Sequence, residues 1–267
     1  MKHLSLDRKS FNCDETKEDA MGALGDTIDI LKLFSFEEPS FNQAELARRL
    51  DRPKATVHRA LKALKESGLL EYDSNTRLYS PGMRLFELGQ IFRSQNHFLD
   101  LLNKRFQLIC ETIGHTGYIT VFDGSDLMVL RMIRGPSPLA IATAPGYRTA
   151  AHSTSNGRAM LALLDDQEWR RRVPEPLPFV SKITPANHEE LQEILGRIRA
   201  TGRSSADSES YPGVAAQGTA MRDPDTGEIY GVAISLPQTL MTPEFREIIA
   251  GKLDQLRSDM SLQSLAD

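Results

Sequence analysis

Residues 42–80 read NQAELARRLDRPKATVHRALKALKESGLLEYDSNTRLYS, and the reading of this stretch decides the fold. Asn42 can cap a helix, with Glu45 three residues on to complete a capping-box-like pair, and the helix runs through Leu46 to Leu50. Asp51-Arg52 makes a tight turn. Pro53 suits the first position of a following helix, where a missing N–H is harmless. Val57, Ala60, Leu61 and Leu64 recur at helical spacing and give this second helix its buried face. Ser67-Gly68 ends it, since glycine accepts the left-handed cap. Two extended runs, 69–72 and 77–80, flank the turn-forming Asp73-Ser74-Asn75 and predict a hairpin. Helix, tight turn, helix and hairpin together make a winged helix-turn-helix.

The charge in this stretch opposes that of the whole chain. From position 48 to 65, Arg48, Arg49, Arg52, Lys54, Arg59, Lys62 and Lys65 face one acid, Asp51, whereas the full sequence has 32 basic against 36 acidic side chains and a net charge of −4. A reversal confined to one segment fits a phosphate partner. With the apolar stripe turned inward, Lys54, Thr56, His58, Arg59 and Lys62 fall on or near the outward face. Arg suits guanine edges, Thr a phosphate or thymine methyl, Lys a phosphate, and a neutral His58 can donate or accept. Arg52 at the turn and Asn75, Arg77 and Tyr79 on the wing complete a candidate set for double-stranded DNA. The bland alternative is a solvated basic helix face.

Outward from this block, residues 1–19 are polar and aperiodic and read as a mobile tail. Met21, Leu24, Ile28 and Leu31 mark a first helix from 20 to near Phe36. Beyond Pro81-Gly82, Leu85, Leu88, Phe92, Leu99, Leu102, Phe106 and Ile109 indicate one or two helices. Strands are expected at 118–122, 127–133, 139–144, 214–222 and 229–236, and helices at 156–164, 187–200 and 243–260, with a proline-rich connector at 174–178. The fold class is therefore α+β with a mostly antiparallel sheet. The domain reading is a tail at 1–19, the winged helix-turn-helix at 20–81, a linker helix at 82–97 and a second domain at 98–267.

Composition excludes several classes. With 40% hydrophobic and 25% charged residues, the chain is neither fibrous nor low in complexity. No apolar run approaches the roughly 20 residues that cross a bilayer. The first 19 residues lack the apolar stretch of a signal peptide, which predicts a cytoplasmic protein without a membrane partner. Cys13 and Cys110 lie far apart with no ligand-spaced neighbours, so neither disulfide nor metal site is expected, and no cofactor is assigned. Cys110 with His115, and His152 beside Ser153, resemble catalytic pairs in composition alone. No Gly-x-Ser-x-Gly elbow, HExxH or phosphate-cradling glycine loop is present. An enzyme, or a ligand-binding module carrying a helix-turn-helix, is the rival class.

The run 43–89, QAELARRLDRPKATVHRALKALKESGLLEYDSNTRLYSPGMRLFELG, resembles the winged helix and linker of the IclR family of bacterial transcriptional regulators. The resemblance continues through GYRTAAHSTSNGRAMLALL (146–164), RATGRSSADSESYPGVAA (199–216) and GEIYGVAISL (227–236). It implies a GAF-like sensor domain for a small organic or aromatic acid, and a homodimer or dimer of dimers on its operator. It also implies site residues. Ser155 and Asn156 fall in a loop that contacts the effector, Ser235 matches a pocket hydroxyl whose usual companion is here Pro237, and Ala216 matches a small pocket residue. An ungapped match puts Ala206 at an acidic pocket position, with Asp207 beside it as the candidate acid, and Ile141 and Thr149 as apolar walls. Independently, 152–157 places hydroxyl and amide groups just before a helix, where free N–H groups favour an anion. Simple capping of that helix explains the same residues equally well.

Overall fold

The computed structural model describes residues 22–36, 38–94, 96–138, 141 and 143–263, and these fall into two compact units divided between His97 and Phe98. The expected tail at 1–19 and the first two positions of the first helix lie outside the described residues.

The first unit contains α1 (Gly22–Leu33), α2 (Gln43–Arg49), α3 (Lys54–Glu66), the hairpin β1 (Leu70–Asp73) and β2 (Leu78–Pro81), and α4 (Met83–Ser94). Helix α1 stops at Leu33 rather than Phe36 because the Ser35 hydroxyl takes the Glu38 N–H at 3.1 Å and turns the chain. Asn42 caps α2 by accepting from Glu45 N at 2.9 Å, while the Glu45 carboxylate pairs with Arg49 instead of returning to the cap. Asp51, at φ 50°, makes the tight turn. Pro53 sits at the cap of α3, one position before the helix. Val57, Ala60, Leu61 and Leu64 are all buried, packing with Ile30, Phe41, Leu46 and Leu70 around one core. Gly68 closes α3 at φ 74°.

The second unit is a six-stranded antiparallel sheet with helices on both faces. Its strands are β3 (Thr116–Asp123), β4 (Asp126–Ile133), β5 (Arg148–Ala150), β6 (Ser204–Asp207), β7 (Val214–Arg222) and β8 (Ile229–Pro237), in the order β5-β4-β3-β8-β7-β6. On one face α5 (His97–Ile113) and α9 (Pro243–Gln263) pack against Ile119, Met221, Tyr230, Val232, Ile234 and Leu236. On the other face α6 (Ser155–Ala162), α7 (Asp166–Arg172) and α8 (His188–Thr201) pack against Leu127, Ala220 and Ile229. Alternation along each strand separates the two cores.

Two expectations need correction. The described residues of 139–144, namely 141, 143 and 144, lie in no strand; β4 takes β5 as its outer partner, with Asp126 opposite Ala150. Pro138 and Pro145 bracket the expected run, and proline cannot donate to a ladder. Helix α7 falls between the expected helix at 156–164 and the proline-rich connector at 174–178, where no element was expected. Its signal was present in sequence as Asp165 and Glu168, a complete capping box, but only Trp169 is buried among its seven residues, too few to show periodicity.

Candidate nucleic-acid interface and ligand site

The outward face of α3 is built by the core beneath it. Because Val57, Ala60, Leu61 and Leu64 are buried, Lys54, His58, Arg59 and Lys62 are exposed and Thr56 half-buried. Among the described residues, Arg48, Lys54 and Arg59 make no ion pair, so their charge is uncompensated at short range. The other basic residues are engaged. The Arg49 guanidinium binds Glu38 and Glu45 and lies 4.8 Å over the Phe41 ring, and these carboxylates hold it still more firmly protonated. Arg52 Nε pairs with Asp26 at 3.1 Å, Lys62 approaches Glu66 at 3.8 Å, and Lys65 lies 5.4 Å over the Tyr72 ring.

At the wing tip the Asp73 carboxylate accepts from Asn75 N at 2.8 Å and Thr76 Oγ1 at 2.9 Å, bonds that hold its pKa below the usual carboxylate range. Arg77 sits at φ 58°, and the side chains of Asn75 and Arg77 are exposed. Tyr79 is not: its ring is buried, packed 4.7 Å from Tyr72, and its backbone pairs with Phe41. Arg77 precedes β2 in a left-handed turn conformation, so the two-residue periodicity of the strand does not carry from it to Tyr79. Tyr79 leaves the contact set.

In the second unit, the strand register lines up Ala206, Ala216, Ser235 and Thr116 across four strands on the face turned to α6. The next row, about 7 Å along, holds Ser204, Gly218, Ala233 and Tyr118. A Cβ on Gly218 would lie 2.5 Å from Asn156 N and 2.8 Å from its Cα, so the start of α6 rests directly on this row. Thr154 caps α6 by accepting from Gly157 N at 3.2 Å. The N–H groups of Ser155 and Asn156 have no acceptor among the described residues, as the first turn of a helix leaves them. The Ser155 hydroxyl, 1% exposed, has no partner either. Donors without acceptors at the positive end of a helix suit a carboxylate.

Around this point the structure sorts the candidate residues. Ser235 is buried and Ala216 half-buried in the row described above. The Asn156 amide is committed to the sheet, donating to Thr120 Oγ1 at 2.8 Å. Thr149 lies on β5, half-buried, and Ile141 offers its carbonyl to the Tyr118 hydroxyl. Asp207 faces the other way. It pairs with Ala215, on the α9 side, and Arg246 of α9 donates to both its oxygens at 2.9 and 3.1 Å. Ala206 faces α6 in its place, so Asp207 is removed from the ligand site by the one-residue alternation of its strand.

Three features went unread in the sequence. Arg158, 3% exposed, donates to His152 O at 2.7 Å and to Glu209 Oε1 at 2.9 Å, with a second bond to the other Glu209 oxygen. Ser210 Oγ donates to Ser153 O at 2.7 Å, so the loop after β6 is fastened to the start of α6. The Tyr211 hydroxyl donates to that of Tyr147 at 2.8 Å; burial, then this bond, raises the Tyr211 phenol above its ordinary value. These partners lie too far apart in sequence for any spacing rule to join them. The catalytic resemblance at Cys110 ends here too: the thiol is fully buried against Gly117, and burial pushes it up to about 12. Among the described residues, no group of three His, Cys, Asp or Glu side chains is placed to hold a metal ion, and no helix is long and apolar enough to cross a membrane.

The IclR helix-turn-helix domain matches residues 24–74, and the bacterial transcriptional regulator IclR C-terminal domain matches residues 94–262. The chain is 27% identical to the HTH-type transcriptional regulator BhcR of Paracoccus denitrificans over 84% of its own length and 81% of that protein's. An IclR transcriptional regulator from Silicibacter sp. TM1040 shares the fold with a TM-score of 0.80 at 19% identity, covering 91% of this chain and 96% of the other. An IclR homologue from Microbacterium hydrocarbonoxydans, solved with 4-hydroxybenzoate, has a TM-score of 0.78 at 18% identity over 90% and 99%.

Proposed function

The chain belongs to the IclR family of bacterial transcriptional regulators, and from that premise we propose that it binds a pseudo-palindromic operator as a homodimer or dimer of dimers and alters that binding when a small organic or aromatic acid is bound. It is a regulator and not an enzyme, like its relatives. The working divisions are a winged helix-turn-helix at 20–81, a linker helix at 82–97 and an effector domain at 98–267, acting in the cytoplasm where operator DNA lies.

Helix α3 enters the major groove, with Lys54, Thr56, His58, Arg59 and Lys62 toward the duplex and Arg52, Asn75 and Arg77 beside them on phosphates or the minor groove. Two such helices related by a two-fold axis read half-sites about one turn, roughly 34 Å, apart. The acid sits at the start of α6, its carboxylate on the Ser155 hydroxyl and the free N–H groups. Ala216, Ser235, Thr149 and Ile141 surround it, and Asn156 contributes its backbone. The observation that carries the ligand reading is the buried Ser155 hydroxyl without a partner beside two unbonded N–H groups. The acid found with the Microbacterium relative supports the same ligand class. An effector regulates only by binding two arrangements of the protein unequally.

The test is an anisotropy titration of the full chain on DNA upstream of its own gene, at two salt concentrations and with a panel of carboxylic acids. The expected result is salt-dependent, sequence-selective binding that one acid shifts, and Ser155→Ala with Ser235→Ala weakens the response to that acid while leaving binding without it intact. Selective binding that no acid changes removes the effector reading. Binding that salt and sequence leave unchanged removes the operator reading.

A further inference from the structure

The hydrogen bonds around Gln43 fix a proton position on the outward face of α3. Gln43 Nε2 lies 3.2 Å from Lys54 O, and Gln43 Oε1 lies 3.2 Å from His58 Nδ1. A backbone carbonyl can only accept, so the end of the Gln43 amide that faces Lys54 is the amino group. The end that faces His58 is therefore the amide oxygen, which also only accepts. It follows that His58 Nδ1 carries the proton. A neutral imidazole holds one N–H, so Nε2 is left as a lone-pair acceptor. His58 is exposed, and among the described residues Nε2 meets no partner. Gln43 opens α2 and Lys54 opens α3, so the same amide that sets the tautomer also ties the two helix starts together.

Resting on the reading of α3 as the groove helix, we infer that His58 is a base-reading residue that accepts a hydrogen bond from an exocyclic amino group. It selects adenine or cytosine on the strand it faces and rejects guanine. In the major groove adenine N6 and cytosine N4 are donors, whereas guanine O6 and N7 and thymine O4 only accept. Guanine opposite Nε2 would set acceptor against acceptor and leave both without a partner once water is displaced. The adjacent Arg59 carries donors only, so α3 presents an acceptor and a donor side by side, and the pair can read two neighbouring bases of opposite character. Gln43 is a positioning residue, acting through the proton it holds on Nδ1.

The experiment is selection of full-length protein on randomised DNA duplexes, followed by sequencing, for the wild type, His58→Arg and Gln43→Ala. The wild type is expected to return a motif in which one position per half-site favours adenine or cytosine over guanine by about fivefold or more. His58→Arg replaces the acceptor with donors and turns that position to guanine, leaving the others as they were. Gln43→Ala frees the tautomer and readmits guanine at the same position, a change that loss of structure alone would not confine to one base. Thermal melting of each variant confirms its fold. A motif that His58→Arg leaves unchanged overturns the inference, as does a wild-type preference for guanine at the position His58→Arg alters. A motif that responds to Arg59→Ala but not to His58→Arg keeps α3 in the groove and removes His58 alone. If the wild type selects no motif, the underlying operator reading fails and this inference with it.

Discussion

Arg49 and Arg59 are the same residue type on adjacent helices, and their surroundings give them opposite uses. Arg49 is held by two carboxylates and an aromatic ring, so it braces α2 against the Phe41 segment. Arg59 has no such partner among the described residues and remains available to a base edge. Replacing Arg59 with alanine is expected to weaken operator binding by about 1–3 kcal/mol, with no change in melting temperature; an unaltered affinity in a titration would strike it from the contact set. Arg158 presents the reverse case, a charge almost wholly removed from water and neutralised by Glu209. Removing one partner of such a pair strands the other, at roughly 3–5 kcal/mol. Glu209→Ala should therefore lower the thermal stability of the second unit substantially, and Glu209→Ala combined with Arg158→Met should recover much of the loss. Equal melting of Glu209→Ala and wild type would mean that water already reaches the guanidinium.

At the level of elements, the helix-turn-helix was legible because its signals are local. A cap, a tight turn, a glycine stop and an apolar stripe each occupy a few neighbouring residues, and all agree on one structure. The candidate ligand site was only partly legible because its geometry depends on strand phase and long-range pairing. Asp207 and Ala206 are chemically obvious alternatives, but no local rule says which of the two faces α6; the ladder to Ala215 and Ala216 does. Arg158 and Glu209 were invisible for a related reason, since their meeting requires β6 to be laid beside β7 first. Gly218 shows how closely the elements are fitted. Gly218→Ala would drive a methyl into the Asn156 backbone, and backbone yields less readily than a side-chain tip. The expected effect is a destabilisation of about 1–3 kcal/mol together with weaker effector binding, while operator affinity without effector is retained. A variant that melts and binds effector like the wild type would place the start of α6 further from the sheet.

For the molecule as a whole, two buried imidazoles set a direction for stability against pH. Burial lowers the proton affinity of both His115 and His152, the latter despite its bond to Pro178 O. The unfolded chain therefore binds protons at these sites more readily than the folded one. Their contribution is complete above the ordinary histidine value of about 6.5 and is lost as the pH falls through it toward the lower folded values. Melting temperature should drop on acidification from about pH 7 to about pH 5, and His115→Gln with His152→Gln should fall less steeply than the wild type. Parallel profiles for the two proteins would assign the acid sensitivity to carboxylates instead.

The central pairing of the sheet also orders events during synthesis. Strand β3 is bonded to β8 from Thr116 to Val121, and the contact from Thr120 Oγ1 to Gly231 O spans 111 positions of chain. Everything between them, including the start of α6, must leave the ribosome before the middle of the sheet can close, and contacts of such long sequence separation form slowly. The first unit ends at His97, and its hairpin is a local pairing. A nascent chain thus carries a folded helix-turn-helix unit while the sheet of the second unit still lacks its central pairing. Slowing translation between the two units would lengthen that interval, and chaperone demand should rise for the second unit alone.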